Sequence, residues 1–329
     1  MTKTQRSGLI ALSILIAMAA MGLWLSNFDV SAADVSSLGA RLRWGPILPL
    51  FILLAGHVGL SAWRWSLIEV ALGGRRPDFM SAFATGAFAM GLGTFLPAPI
   101  VNVACRGLAN RVNGASGMRG VLSGAIDQLA DLAMVVLLTL PAAIALLYGN
   151  MEIYFWGGPA ILLFVFGLIR FSPNLLGNYT LPFRIPKGDQ LARLANRRLV
   201  TTLYGISFLR VVNLTLMTLL VHAAVGTGSA AVVIVSIPLV TLAISAAMLP
   251  GAIGVSEWSF SAVFAAFGVA SGDIVLFVLA NRIVLTALYL LLALIILALF
   301  TLVRRRSVER PSLGAMSNEM DDPEHRESR

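Results

Sequence analysis

Apolar residues recur along this chain in nine long runs, at 8–25, 44–70, 79–96, 121–147, 153–169, 199–223, 230–249, 252–268 and 274–303. Several reach eighteen residues or more, and a helix of about 20 residues crosses a hydrocarbon core of about 30 Å. The pattern therefore predicts an all-α polytopic membrane protein. The first run follows Lys3 and Arg6, as a secretory signal peptide would, but it outlasts the usual signal core of about 7–15 residues and is read as a retained span.

Basic residues decide how the runs are threaded, because short cytoplasmic loops are enriched in Lys and Arg. Nine full crossings would put Lys3 and Arg6 on one face and Arg304, Arg305, Arg306 and Arg310 on the other. If instead 79–110 and 230–268 are broken at Pro97 and Pro250 and return to the side they entered from, the loop arginines and lysines collect on one face. Only Arg41 and Arg43 stay outside. The expected architecture is six full transmembrane helices plus two re-entrant or broken helical hairpins, with both termini cytoplasmic, in the cytoplasmic (inner) membrane. One hairpin then enters from each side, as an inverted repeat would arrange it. The two breaks also share a Leu-Pro pair followed by Ile three residues after the proline, in FLPAPIVNVACR at 95–106 and MLPGAIGVSEWS at 248–259. Residues 1–306 form the membrane domain on this reading, and 307–329 a disordered cytoplasmic tail.

Composition agrees and narrows the function. The chain is 58% apolar and 12% charged with a mean hydropathy of +0.85, against about 25% charged for a soluble domain. The net charge of +8 lies in short loops between apolar runs, so it reads as a topology signal and not as a nucleic-acid surface. A lone cysteine, Cys105, supports neither an intrachain disulfide nor a cysteine-rich metal site and reads as a packing residue. His57 and His222 stand apart without a second ligand at metal spacing, and no phosphate loop, nucleophile elbow or metalloprotease motif occurs. No cofactor, metal or enzymatic activity is expected.

The chemistry lies in charges placed inside apolar runs, each costing roughly 2.5–3.5 kcal/mol at a helix centre unless it faces the bundle interior or a watery cavity. Asp127 and Asp131, four residues apart, project from one helix face. Glu257 follows the second break, Arg282 lies in the last run, Arg210 near the middle of 199–223, and Arg106 on the outgoing arm of the first hairpin. These six are the candidates for a substrate path. Pairs such as Asp131 with Arg210, or Glu257 with Arg282, could equally serve only to fix helix packing. Pro97, Pro99, Pro250, Gly251 and Gly254 are the candidate helix breakers, which matter because half-helix ends expose backbone groups that bind ions where they line a cavity. Arg64, between Trp63 and Trp65, reads as an interfacial anchor with its charge at the headgroups.

Four segments resemble the transmembrane, flippase-type domain of the lysylphosphatidylglycerol synthase family: AWRWSLI at 62–68, FLPAPIVNVACR at 95–106, AIDQLADLAM at 125–134, and MLPGAIGVSEWSF at 248–260 followed by ANR ending at Arg282. The resemblance covers about residues 8–303 and implies lipid translocation between leaflets, aminoacylated phospholipids included. It departs at Val101 and Asn102, where the family tends to have Gly-Glu, and at Gln128, where a basic residue is common. Those changes sit where headgroup selectivity would be set. The soluble aminoacyl-transferase domain has no counterpart after Val303, so a stand-alone member is expected. The leading expectation is a flippase-like transporter whose partners are membrane lipids. The alternatives are a membrane-embedded lipid or glycosyl transferase with Asp127 or Asp131 as general base, and an accessory subunit of a lipid-modifying enzyme. Homo-oligomerisation is compatible with each.

Overall fold

The computed structural model describes residues 3–30, 32–171, 194, 196–226 and 228–309. Among these the chain is all-α: α1 (Lys3–Asn27), α2 (Ala32–Arg41), α3 (Ile47–Ala71), α4 (Phe79–Gly93), α5 (Ala98–Val112), α6 (Gly117–Tyr148), α7 (Glu152–Phe171), α8 (Arg197–Val225), α9 (Ala230–Ala247), α10 (Val255–Ala266) and α11 (Ser271–Glu309), with a short 3-10 turn at Pro250–Ala252. Helix starts follow local chemistry. Asp78, Ser116 and Asn196 each accept a hydrogen bond from a backbone N–H of the first turn of α4, α6 and α8.

Among the described residues six helices are long and apolar enough to cross a membrane: α3, α6, α7, α8, α9 and α11 over 271–299. The chain is thus a multi-pass membrane protein. Membership of the six differs from the expectation in one respect. Helix α9, the ingoing arm of the second hairpin, is itself long and apolar enough to span. The basic loop residues Arg184, Lys187 and Arg193 and the tail from 310 onward lie outside the described residues, and α11 continues as far as Glu309. The short helix α2 is an addition that hydrophobic periodicity did not announce.

Both expected breaks are present. The first separates α4 from α5 at 94–97, with Pro97 at the N-cap of α5, where its missing N–H costs nothing. The second runs from Met248 to Gly254, and there the backbone turns left-handed at Met248, Gly251, Ala252 and Gly254 (φ 48°, 58°, 53° and 82°). For Met248 and Ala252 that conformation is strained, at about 1–3 kcal/mol each. The two breaks touch: Gly251 N donates to Leu96 O at 3.3 Å. A Cβ at Gly251 would collide with Thr94 O, so the approach requires glycine here.

Around the breaks the bundle is held by two apolar clusters. One joins α3, α4, α8 and α11 through Leu50, Leu54, Val58, Ala87, Met217 and Val284. The other joins α1, α9, α10 and α11 through Trp24, Val233, Phe264 and Phe277, with Phe264 and Phe277 stacked at 4.8 Å. Helix α1 is pinned to α10 by Trp24 Nε1 donating to Ser261 Oγ at 2.8 Å and Trp258 Nε1 donating to Ala20 O at 3.0 Å. Helix α7 turns Trp156, Leu163 and Phe164 outward, as a helix must whose outer solvent is lipid.

Helices α5 and α6 cross at small residues. Virtual Cβ atoms at Gly120 and Gly124 of the Gly120-x-x-x-Gly124 pair would press on the α5 backbone at Arg106, Gly107 and Val103. Gly120→Ala is expected to lower stability by about 1–3 kcal/mol through overpacking. Gly205→Ala on α8, where a Cβ meets nothing within 4 Å, is expected to be neutral or stabilising. Thermal unfolding of both variants in detergent checks the contrast.

Candidate functional site

On α3, His57, Ser61, Arg64 and Ile68 follow the i, i+4, i+7 spacing of one helical face and turn toward the bundle interior, all four buried. On α6, Asp127 and Asp131 turn toward that face. The Arg64 guanidinium lies between them. Its Nε pairs with Asp127 Oδ1, its Nη1 with Asp131 Oδ1 and, at 2.7 Å, with Ser207 Oγ of α8, and its Nη2 with Asp127 O at 3.0 Å. Arg106 of α5 closes one end, with Nη2 2.6 Å from Asp127 Oδ2 and 2.9 Å from Ser61 Oγ, its guanidinium 5.5 Å over the Trp65 ring. Arg210 of α8 closes the other, pairing with Asp131 Oδ2 and standing 3.2 Å from His57 Nε2.

The expected interfacial role of Arg64 is therefore wrong. The residue is 0% exposed, and the aromatic neighbours that suggested a headgroup anchor diverge: Trp63 is 42% exposed and Trp65 only 2%. Helical spacing from His57 and Ser61 was the signal that places Arg64 inside. Three arginines and two aspartates share the network, which leaves one guanidinium charge in excess.

A cavity of about 720 Å³ opens against the Arg210 end of the network. Asp131, Arg210, His57 and Gln128 supply its polar wall, and Pro99 and Met248 bring the two helix breaks to its edge. The rest of the lining is largely aliphatic, so a polar strip lies in an apolar shell. Asp127 and Arg106 are buried behind this wall and do not line the cavity.

A second cavity of about 300 Å³ lies on the other side of Leu214 and Thr241, which border both. Glu257, Arg282, Asn281, Asn102, Thr94 and Gly251 face it. Glu257 sits in the first turn of α10, where the helix dipole favours a carboxylate. Its Oε1 is 3.7 Å from Arg282 Nε, while Arg282 Nη1 donates to Gly251 O at 2.6 Å. The last helix is thereby tied to the strained turn. Of the candidate breakers, Pro99 edges the first cavity, Gly251 the second, Pro250 sits buried in the turn, and Gly254 abuts Ala20 of α1.

One buried acid escaped the sequence reading. Glu69 of α3 is enclosed, accepts a hydrogen bond from Asn110 Nδ2 at 2.8 Å, and packs under Gly74. It stands one residue before the end of the apolar run 44–70, where a charge is least distinctive in sequence.

A sequence profile described as the lysylphosphatidylglycerol synthase TM region matches residues 10–293. No curated protein matches the chain.

Removing one partner from a buried ion network strands the others, at about 3–5 kcal/mol. Arg64→Ala is expected to cost that much. Arg64→Lys is expected to recover little of it, because an ammonium cannot reproduce the planar fork that meets two carboxylates and a carbonyl together. The unfolding midpoints of the two variants, with far-UV circular dichroism as the readout, test this.

Proposed function

The chain belongs to the lysylphosphatidylglycerol synthase transmembrane-region family, and from that premise we propose that it carries a polar-headgroup lipid between the leaflets of the cytoplasmic membrane. The observation that carries this reading is the pair of polar-walled cavities lying on either side of Leu214 and Thr241, inside an otherwise apolar bundle. A headgroup in hydrocarbon loses its hydration, and fixed charges and hydrogen-bonding groups replace part of it. The acyl chains need no such shelter and stay in the bilayer.

The meeting of the breaks supports the threading. Hairpin tips that dip into a bilayer from opposite faces converge near its middle, and Leu96 O and Gly251 N are in hydrogen-bond contact. We read the two hairpins as inverted repeats, both termini as cytoplasmic, and membrane lipids as the partners. A transport role is favoured over a transferase because a general base needs a lone pair turned toward substrate. Both oxygens of Asp127 and both of Asp131 are engaged by arginines.

Exchange of fluorescent lipids between leaflets of proteoliposomes is expected to exceed that of empty vesicles. Thr241→Trp, which adds bulk at a residue bordering both cavities, is expected to return it to the empty-vesicle level while the protein elutes as a folded species. Wild-type protein that exchanges no headgroup under any gradient would sink the proposal. The threading has its own check in a Cys105→Ser background. An impermeant thiol reagent on intact cells is expected to label Gly272→Cys and to leave Asn113→Cys unlabelled, the reverse of what nine full spans with a cytoplasmic N-terminus would give at residue 113.

A further inference from the structure

The second cavity contains oxygen atoms that ask for a donor. Glu257 is 2% exposed. Its Oε2 accepts from Ser256 Oγ at 2.8 Å, but its Oε1 has no hydrogen-bond donor among the described residues, since Arg282 Nε stays 3.7 Å away. Arg282 instead gives its Nη1 to Gly251 O at 2.6 Å. One residue before it, Asn281 Oδ1 is also buried without a donor. Both residues line the same cavity of about 300 Å³. A buried acceptor left unpaired is costly, and native proteins keep few of them outside functional sites.

The first cavity has the opposite character. Its network holds one guanidinium in excess, and Arg210 Nε is buried without an acceptor. The unpaired buried groups thus differ: an arginine N–H lies at the first cavity, which Asp131 also lines, and two acceptor oxygens lie at its neighbour across Leu214 and Thr241, which Arg282 also lines.

We infer that Glu257 Oε1 and Asn281 Oδ1 form a receptor for the N–H or O–H groups that a phosphodiester lipid carries at the far end of its headgroup. The inference rests on the transport reading for what enters the cavity. It commits to hydrogen-bond donation and not to positive charge alone. A primary ammonium and a polyol both supply donors; a trimethylammonium group carries charge but has no N–H. The phosphate belongs to the first cavity, where Arg210 has an N–H to give.

Binding of lipids with identical acyl chains to the full-length protein in detergent, measured by native mass spectrometry with phosphatidylethanolamine, phosphatidylglycerol and phosphatidylcholine, tests this. At least one of the first two is expected to bind about tenfold more tightly than phosphatidylcholine, the value of one charge-assisted hydrogen bond. Preference for phosphatidylethanolamine identifies an ammonium as the donor, and preference for phosphatidylglycerol a hydroxyl. Glu257→Met and Asn281→Leu, each of which removes an acceptor oxygen at similar volume, are each expected to bring the ratio toward one, with size-exclusion elution confirming fold. Equal binding of the three lipids by wild type, or a preference that survives both variants, overturns the inference. Leaflet exchange in the same preparations separates the two readings: equal exchange of all three headgroups overturns the donor receptor and leaves transport standing, whereas donor-selective binding without exchange overturns transport alone.

Discussion

The guanidinium of Arg64 is the member of the buried ion network that touches both carboxylates. Taken into the bundle interior, it is an expense of several kcal/mol, and the arrangement around it offsets that cost with two carboxylates, a backbone carbonyl and a hydroxyl. Those partners sit on α6 and α8, so Arg64 fixes α3 against both. Asp127 then holds Arg106 of α5, and Asp131 holds Arg210 of α8. With α5 locked to α6 by Asp127–Arg106 and by the close glycine crossing at Gly120 and Gly124, the start of α5 has a defined position. The first break lies there, and Leu96 can meet Gly251 only if it stays there.

The two ionic regions differ in how fully they are satisfied. Around Arg64 each charged group has at least one ionic partner at short range, although Arg106 Nη1 and Arg210 Nε have no acceptor among the described residues. Between Glu257 and Arg282 the approach is 3.7 Å, and the pair adjoins a turn strained at Met248 and Ala252. Strain and unpaired polar atoms persist where the surroundings over-determine them and function requires them. The lipid-facing helix α7 has neither feature.

Much of this was legible in the residues and some was not. The breaks were legible because a second helix breaker stands close to each proline, Pro99 after Pro97 and Gly251 and Gly254 after Pro250, whereas the helices run on through the isolated Pro141, Pro159 and Pro238. The pairings Asp131–Arg210 and Glu257–Arg282 were among those that buried charge of opposite sign suggests. Arg64 was misread because its chain neighbours are tryptophans, and immediate neighbours point to different sides of a helix. Its fellows on the same face, His57 and Ser61, carry the relevant signal. Glu69 hid at a run's end, where the boundary between span and loop is least defined. The contact between Leu96 and Gly251 could not be read at all, since it joins segments more than 150 residues apart through backbone atoms that every residue has.

If the two hairpins presented the same side chains, the two cavities beside them would be chemically alike. They are not alike, because the residues after the two breaks differ. After Pro97 the chain continues with Val101 and Asn102, and Asn102 Nδ2 bonds back to Ala98 O at 3.1 Å. After Pro250 it continues with Glu257, which no residue of the first hairpin matches in charge. The first hairpin instead contributes Arg106, which is drawn into the Arg64 network and adds to its excess of positive charge. Shared contact brings the breaks together, and unequal side chains give the space around them a direction, with an unpaired arginine N–H on one side of Thr241 and two unpaired acceptor oxygens on the other. A headgroup with a phosphate and a donor at opposite ends matches that direction in one orientation only.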